Sequence, residues 1–327
     1  MQKSRNQKIL KEGLAVLLLW PVVSVCDGSS PSAQATTGTG AGTGTIVFEQ
    51  PQVSGIAGNL VVHHASPQGA FAMVLWQPNR FQANGQLVPT TWDAGVETGF
   101  TPSLVSGAQL GFQNRAGTST AQMEGDTVGA YINSADLPQS SADQKMMITP
   151  QFIFPAGSQP MPFAHALGSL SGSMDLQIPV AVGSDAYVVA DLLFEDARGL
   201  RVSYGIEIFR NHGRRAVLGS GYDAPSGTYM LNAPLVSNQQ FVTAAPTSTG
   251  TTGTPWSGWR LFEWSISEAQ FVGALQHLAA QFPGKAISTD PAQYVLAEVH
   301  LNAEFHTKGQ PAQLGWSMRG LTLWTTP

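Results

Sequence analysis

One cysteine, Cys26, stands in the 327 residues, so no internal disulfide can staple the chain and no cysteine-based metal site can form. Charge is sparse as well: Asp, Glu, Lys and Arg make up 11% of the chain, with 16 basic residues against 21 acidic ones and a net charge of −5. Four of the basic residues (Lys3, Arg5, Lys8, Lys11) and two of the acidic ones precede residue 36; without them the balance is 12 to 19, or −7. That balance repels a polyanion and excludes nucleic-acid binding by a basic face that tracks phosphates. The adjacent pair Arg214-Arg215 reads as a solvated turn. The apolar run Gly13 to Val25 is shorter than the about 20 residues that cross a bilayer as a helix. No H-E-x-x-H or comparable ligand spacing occurs, so no metal and no cofactor is expected. Serine chemistry lacks its elbow, because Gly168-Ser169-Leu170-Ser171-Gly172 puts Leu170 where G-x-S-x-G needs serine. The His63-His64 pair shows no triad spacing.

The short apolar run after a basic start is the pattern of a signal-peptide core, which implies export, either secreted or lipid-anchored in the bacterial envelope. Two processing readings stand side by side. Ala33-Gln34-Ala35 is an A-x-A cleavage site. Cys26, followed by Asp27 and a Gly/Ser/Thr stretch, resembles the lipidated cysteine of a bacterial lipoprotein, although Val25 stands where a small residue is usual. Residues 1–25 are thus read as signal-peptide core and 26–44 as a flexible tether without apolar periodicity. Residues 45–327 are read as one β-sandwich domain.

Hydrophobic residues at 43%, with 35 glycines and 21 prolines, suit many short strands joined by turns. Apolar and polar residues alternate over 185–195, 200–209, 294–306 and 314–325. The fold class expected is therefore mainly β, an antiparallel β-sandwich or jelly roll. One amphipathic helix is expected at about 265–282, capped by Ser265, with Glu268 completing a capping box and Phe271, Val272, Leu275, Leu278, Ala279 and Phe282 as its stripe. Pro283-Gly284 ends it. Segments 134–145 and 244–255 read as surface loops.

Asp196-Ala197-Arg198-Gly199 predicts a three-residue hairpin loop with a glycine bulge. Its register pairs Phe194 with Val202, Leu192 with Tyr204, Ala190 with Ile206 and Val188 with Ile208 on a core face. The other face pairs Glu195 with Arg201, Leu193 with Ser203, Asp191 with Gly205 and Val189 with Glu207. Asp191 and Glu207 then become diagonal neighbours about 7 Å apart, with Gly205 leaving space beside them. A second polar face runs along Glu298, His300, Asn302, Glu304 and His306.

Two carboxyl groups on neighbouring strands are what glycosidic-bond cleavage needs, one to protonate the leaving oxygen and one to attack or to activate water. Ala190-Asp191-Leu192-Leu193-Phe194, Tyr204 to Phe209, and Tyr294-Val295-Leu296 leading to Ala303-Glu304-Phe305 resemble, over about 185–325, the β-jelly-roll endoglucanases of glycoside hydrolase family twelve. The resemblance implies Glu207 as nucleophile, Asp191 as its partner and Glu304 as acid/base, with Glu298 as a substitute for Glu304. It departs from the family at Phe209-Arg210, where a Trp normally ends the strand, and at Asn211-His212-Gly213. Trp256 and Trp259 are expected to form an exposed platform for sugar rings, with Tyr187, His300 and Asn302 as further substrate contacts. Trp264, Trp316 and Trp324 are expected in the core, and Trp76 and Trp92 add aromatics to the N-terminal half. The functional expectation is a glycan-active jelly roll, a retaining β-glucan hydrolase. The alternatives are a non-catalytic carbohydrate-binding or adhesion module and a structural surface lipoprotein, and the expected partner is a polysaccharide or envelope glycan. Intact-mass and N-terminal analysis of the protein recovered from envelope and medium is expected to find Cys26, acylated, or Thr36 first; a chain still beginning at Met1 would contradict processing at either site.

Overall fold

Strand follows strand because side chains alternate between apolar and polar with the period of two that a pleated backbone imposes. In the computed structural model the described residues are 44–50, 52–56, 59–63, 70–76, 90–91, 101–106, 109–113, 119–124, 126–136, 143, 145–154, 156–164, 168–183, 185–211, 218–224, 226–235, 239–246, 248 and 251–326. The apolar leader, Cys26, Ala33 to Ala35, His64, Trp92, Arg214-Arg215 and all of the tether except Gly44 lie outside them. In chain order the strands are β1 (Thr45–Glu49), β2 (Gln52–Ile56), β3 (Asn59–His63), β4 (Ala70–Trp76), β5 (Thr90–Thr91), β6 (Thr101–Ser106) and β7 (Gln109–Gln113). There follow β8 (Thr120–Glu124), β9 (Thr127–Asn133), β10 (Lys145–Ile153), β11 (Ser169–Val182), β12 (Asp185–Asp196), β13 (Arg201–Asn211) and β14 (Gly219–Asp223). The series ends with β15 (Thr228–Pro234), β16 (Thr243–Ala244), β17 (Thr251–Gly253), β18 (Trp256–Ser267), helix α1 (Glu268–Gln281), β19 (Tyr294–His306) and β20 (Gln313–Thr326).

These strands form two large sheets and a small β2-β3 hairpin. One sheet runs β16-β18-β11-β20-β9-β8-β7-β6, with β1 on β20; the other runs β14-β15-β13-β12-β19-β10-β4-β5, with β17 on β13. The pairing is antiparallel apart from the parallel neighbours β15 and β17 of β13. Their facing sides share one core, in which Leu170, Leu176, Phe262 and Trp316 of the first sheet meet Val188, Leu192, Tyr204 and Phe305 of the second. The sandwich with a single helix is the architecture the alternation predicts. Trp264 and Trp316 are buried as expected, whereas Trp324 is only half-buried.

The 196–200 hairpin forms as predicted, with Gly199 at φ 79° and its N–H donating to the Asp196 carbonyl at 2.8 Å. The register holds from Glu195↔Arg201 to Val189↔Glu207 and then shifts, so that Val188 faces Phe209 and not Ile208. Ile208 is the extra residue of a β-bulge. The core takes both Ile208 and Phe209, each nearly fully buried, which strict alternation cannot accommodate. Slipping the register by one residue would turn Phe194, Leu192, Ala190 and their partners outward. At about 1.5–3 kcal/mol per large apolar side chain, that exceeds the roughly 5–15 kcal/mol that holds a domain folded.

The helix differs from expectation at its start. Ser267, not Ser265, is the N-cap, accepting from Gln270 N–H, and the Gln270 side chain closes the capping box instead of Glu268. Ser265 is still in β18, opposite Ser171, because Phe262, Trp264 and Ile266 continue the inward alternation of that strand. Phe271, Ala274, Leu275 and Leu278 are the buried stripe. Phe271 stacks on Phe163 at 4.5 Å and meets Phe194 at 4.6 Å, which joins the helix to the second sheet. Two segments expected as loops carry short elements: Ser134–Asp136 is a turn of 3-10 helix, and β16 and β17 lie within or beside 244–255. Replacement of Phe271 by Ala, which empties a fully buried site, is expected to cost about 3–5 kcal/mol. Denaturant unfolding should show the midpoint falling with an unchanged slope.

Candidate functional site

Strand β12 lies between β13 and β19, and its outward positions line up with theirs in rungs. Successive rungs read Arg210-Tyr187-Glu304, then Glu207-Val189-Asn302, then Gly205-Asp191-His300, then Ser203-Leu193-Glu298. Six of the residues singled out from the sequence (Glu207, Glu304, Asp191, Tyr187, His300, Asn302) therefore share the outward face of one sheet. Glu207 and Glu304 are two strands and one rung apart. Strand spacings of about 4.8 Å and a rise of about 3.4 Å per residue put their Cα atoms about 12 Å apart, with the outward side of β12 between them.

The bulge at Ile208 builds this face. Without it Arg210 would point into the core; with it Arg210 falls beside Glu207, and its Nη1 donates to Glu207 Oε2 at 3.1 Å. Arg210 also donates to both oxygens of Asp185, at 2.9 and 3.3 Å, and sits 5.2 Å over the Tyr187 ring. Lys308 Nζ adds a 3.3 Å bond to Asp185. Burial opposes ionisation of Asp185, but the bonds and charge of Arg210 and Lys308 outweigh it and lower its pKa.

Glu207 is treated differently. Burial pushes its pKa up, Arg210 only partly offsets this, and the Asp185 charge adds to the rise. Its Oε1 is buried with no hydrogen-bond partner among the described residues, although the residue is only 6% exposed.

Around Glu304, donors converge. His306 Nε2 is 3.0 Å and Lys145 Nζ 3.8 Å from Oε1, and Tyr187 is the cross-strand neighbour of the same residue. The bond to Glu304 raises the His306 pKa against burial, helped by Asp143, whose Oδ2 lies 2.9 Å from Nδ1. Burial and the Glu304 charge push the Tyr187 hydroxyl far above its ordinary value. Tyr187 and His306 stack at 6.2 Å.

Asp191 is tied into the sheet. Ser203 Oγ donates to it at 2.6 Å and Asn302 Nδ2 at 2.9 Å, while Thr149 Oγ1 donates to Asn302 at 2.9 Å. The side chain that hydrogen-bonds Glu207 is Arg210, while Asp191 stands as its diagonal neighbour across β12 and β13. The space expected at Gly205 is also filled: Asn232 stands opposite on β15, and a Cβ at 205 would collide with its amide oxygen and come within 2.9 Å of Val189. Farther along the face, Glu298 accepts from Arg201 and, at 2.7 Å, from His300. Burial alone would raise the Glu298 pKa, but these two partners lower it.

The two tryptophans do not join this face. Trp256 is buried between the sheets, edge-on to Phe209 at 5.7 Å, with Nε1 donating to the Leu176 carbonyl at 3.2 Å. Burying an indole whose N–H finds a partner outweighs exposing it as a platform. Trp259 is half-buried on the outward side of the other sheet, under Arg319 at 4.4 Å, which itself pairs with Asp175. Arg210, Asp185, Lys145, Thr149, Ser203 and Asn232 were not among the residues selected from the sequence. The opposite charges of Asp185 and Arg210 are a signal in the sequence, and the bulge at Ile208 is what brings Arg210 onto their shared face.

No family model and no curated protein matches the chain. Among solved structures it is similar to the family 11 xylanase from Neocallimastix patriciarum, at 18% identity over 71% of this chain and 94% of that one, with a TM-score of 0.31. It is also similar to the endoglucanase Cel12A from Rhodothermus marinus (12%, 67% and 92%, TM-score 0.34). A third is the xyloglucanase domain of NopAA, a type three effector from Sinorhizobium fredii, in complex with cellobiose (10%, 71% and 94%, TM-score 0.33). The likeness is a weak one of fold and assigns neither residues nor activity to this chain.

Arg210→Met removes the cation shared by buried Glu207 and partly buried Asp185 and is expected to cost about 3 kcal/mol at neutral pH. Arg210 lowers the folded-state pKa of Asp185, so its contribution is present above the unfolded-state value and lost as pH falls through the folded one. The stability gap between wild type and variant, measured by denaturant unfolding, should therefore narrow on acidification.

Proposed function

We propose that this protein is an exported glycan hydrolase, a retaining β-glucanase whose residues 45–327 work as one jelly-roll domain and whose catalytic pair is Glu207 and Glu304. The observation that carries the reading is the placing of both glutamates on one outward face, one short of hydrogen-bond partners and the other crowded with donors. Two carboxyl groups in unlike surroundings are what acid-assisted cleavage of a glycosidic bond requires. The burial of Trp256 removes the aromatic platform on which a non-catalytic sugar-binding module would rest. Tyr187 and His306 supply ring surface beside the pair, and His300 and Asn302 line the same face. Export, by cleavage after Ala35 or by lipidation at Cys26, suits action on a polysaccharide or an envelope glycan.

Release of reducing ends from a panel of β-glucans by the purified domain tests the reading. Wild type is expected to be active, and Glu207→Gln and Glu304→Gln, folded by circular dichroism, are each expected to lose about 10² to 10⁴-fold of that activity. Binding of the polysaccharides without any shortening would move the protein to the non-catalytic class.

A further inference from the structure

The resemblance noted in the sequence makes Glu207 the nucleophile and Glu304 the acid/base, whereas the surroundings of the two side chains point the other way. Resting on the hydrolase reading, we propose that Glu207 is the proton donor and Glu304 the nucleophile, with Tyr187 and His306 as positioning residues for Glu304. Glu207 has one oxygen buried without a partner among the described residues and a single donor on the other, Arg210 Nη1 at 3.1 Å. The remaining donors of Arg210 that the geometry commits go to Asp185. A carboxyl group with a free, buried oxygen has a place for its own proton, and a neutral acid suits desolvated surroundings better than an anion does.

Glu304 is the opposite case. Partners from three elements surround it: His306 Nε2 at 3.0 Å from β19, the Lys145 ammonium at an ion-pair distance of 3.8 Å from β10, and Tyr187, its cross-strand neighbour on β12. Charge-assisted bonds of this kind stabilise a carboxylate and fix its direction. His306 is itself held from behind by Asp143, and the Tyr187 ring lies between the His306 ring and the Arg210 guanidinium. Glu304 is thus held from β19 and β10, with Tyr187 of β12 standing between it and Arg210.

A Glu304 oxygen bonds to the anomeric carbon as the glycosidic C–O bond breaks, and the proton of Glu207 passes to the leaving oxygen, which departs as an alcohol. Water then attacks the anomeric carbon, the ester bond to Glu304 breaks, and the proton from water returns to Glu207. Both carboxyl groups end as they began, and one water is consumed.

Leaving-group dependence separates the two roles. Each variant is assayed on the best β-glucan and on the matching aryl glycoside whose phenol leaves without protonation. Glu207→Gln is expected to lose about 10² to 10⁴-fold on the glucan while its first, glycosyl-transferring step on the aryl glycoside stays within about tenfold of wild type. Glu304→Gln is expected to lose both substrates. Azide added to Glu207→Ala should restore turnover and give a glycosyl azide of retained configuration, and added to Glu304→Ala one of inverted configuration. Tyr187→Phe should lower kcat on both substrates with little change in KM. The reverse pattern, with Glu304→Gln keeping the aryl glycoside and Glu207→Gln losing it, or with the azide configurations exchanged, overturns the assignment while leaving the hydrolase reading intact. A wild-type protein inactive on every glucan and aryl glycoside would overturn both.

Discussion

The register of β12 against its two neighbours is the constraint on which the polar face depends. One strand of alternating residues, paired on one side with β13 and on the other with β19, decides which side chains meet outside because it decides which are buried inside. The core side carries Val188, Ala190, Leu192 and Phe194, and their burial is worth more than any polar contact on the opposite face. The carboxylates are arranged by the apolar residues between them. The bulge at Ile208 is the one departure, and it satisfies both faces, giving the core two consecutive large side chains and bringing Arg210 outward.

A chain this poor in charge concentrates what it has. Asp185, Glu207, Glu304 and Asp143 face Arg210, Lys145, Lys308 and His306 across a few rungs. Buried charges are tolerated only when paired, because desolvation otherwise exceeds the Coulombic gain. Asp185 and Glu298 obey this and are held below their ordinary pKa. Glu207 does not: its burial outweighs its one cationic partner, and its pKa rises. Unequal treatment of carboxylates within one connected network distinguishes this face from a merely solvated sheet surface, where each group would behave alike.

Much of this was legible in the residues. Alternation located β12, β13, β19 and β20 to within two residues at their ends, and the Asp196-to-Gly199 turn set the hairpin register as far as Val189. What was illegible has common physical causes. A β-bulge leaves no mark in a hydrophobic pattern when the extra residue is itself apolar, so the register reads one residue short beyond Val189. The helix start was misread because Ser265 and Ser267 have the same chemistry, and only the inward run Phe262, Trp264, Ile266 decides that the strand continues. Trp256 was taken for a platform because a tryptophan near a Thr/Gly-rich loop reads as exposed, while its burial depends on Phe209 and Leu176, remote in sequence. Asn232 reaches Gly205 through a parallel pairing, which no hairpin signal announces.

This face holds one carboxylic acid whose burial opposes ionisation more than its single cationic partner favours it. Carbon-13 NMR titration of glutamate side-chain carboxyls, with Glu207→Gln to assign the resonance, measures this directly and requires no substrate. The Glu207 signal is expected to titrate clearly above the ordinary glutamate value of about 4.3. Titration at or below that value would mean that Arg210 dominates over burial, and would contradict the claim.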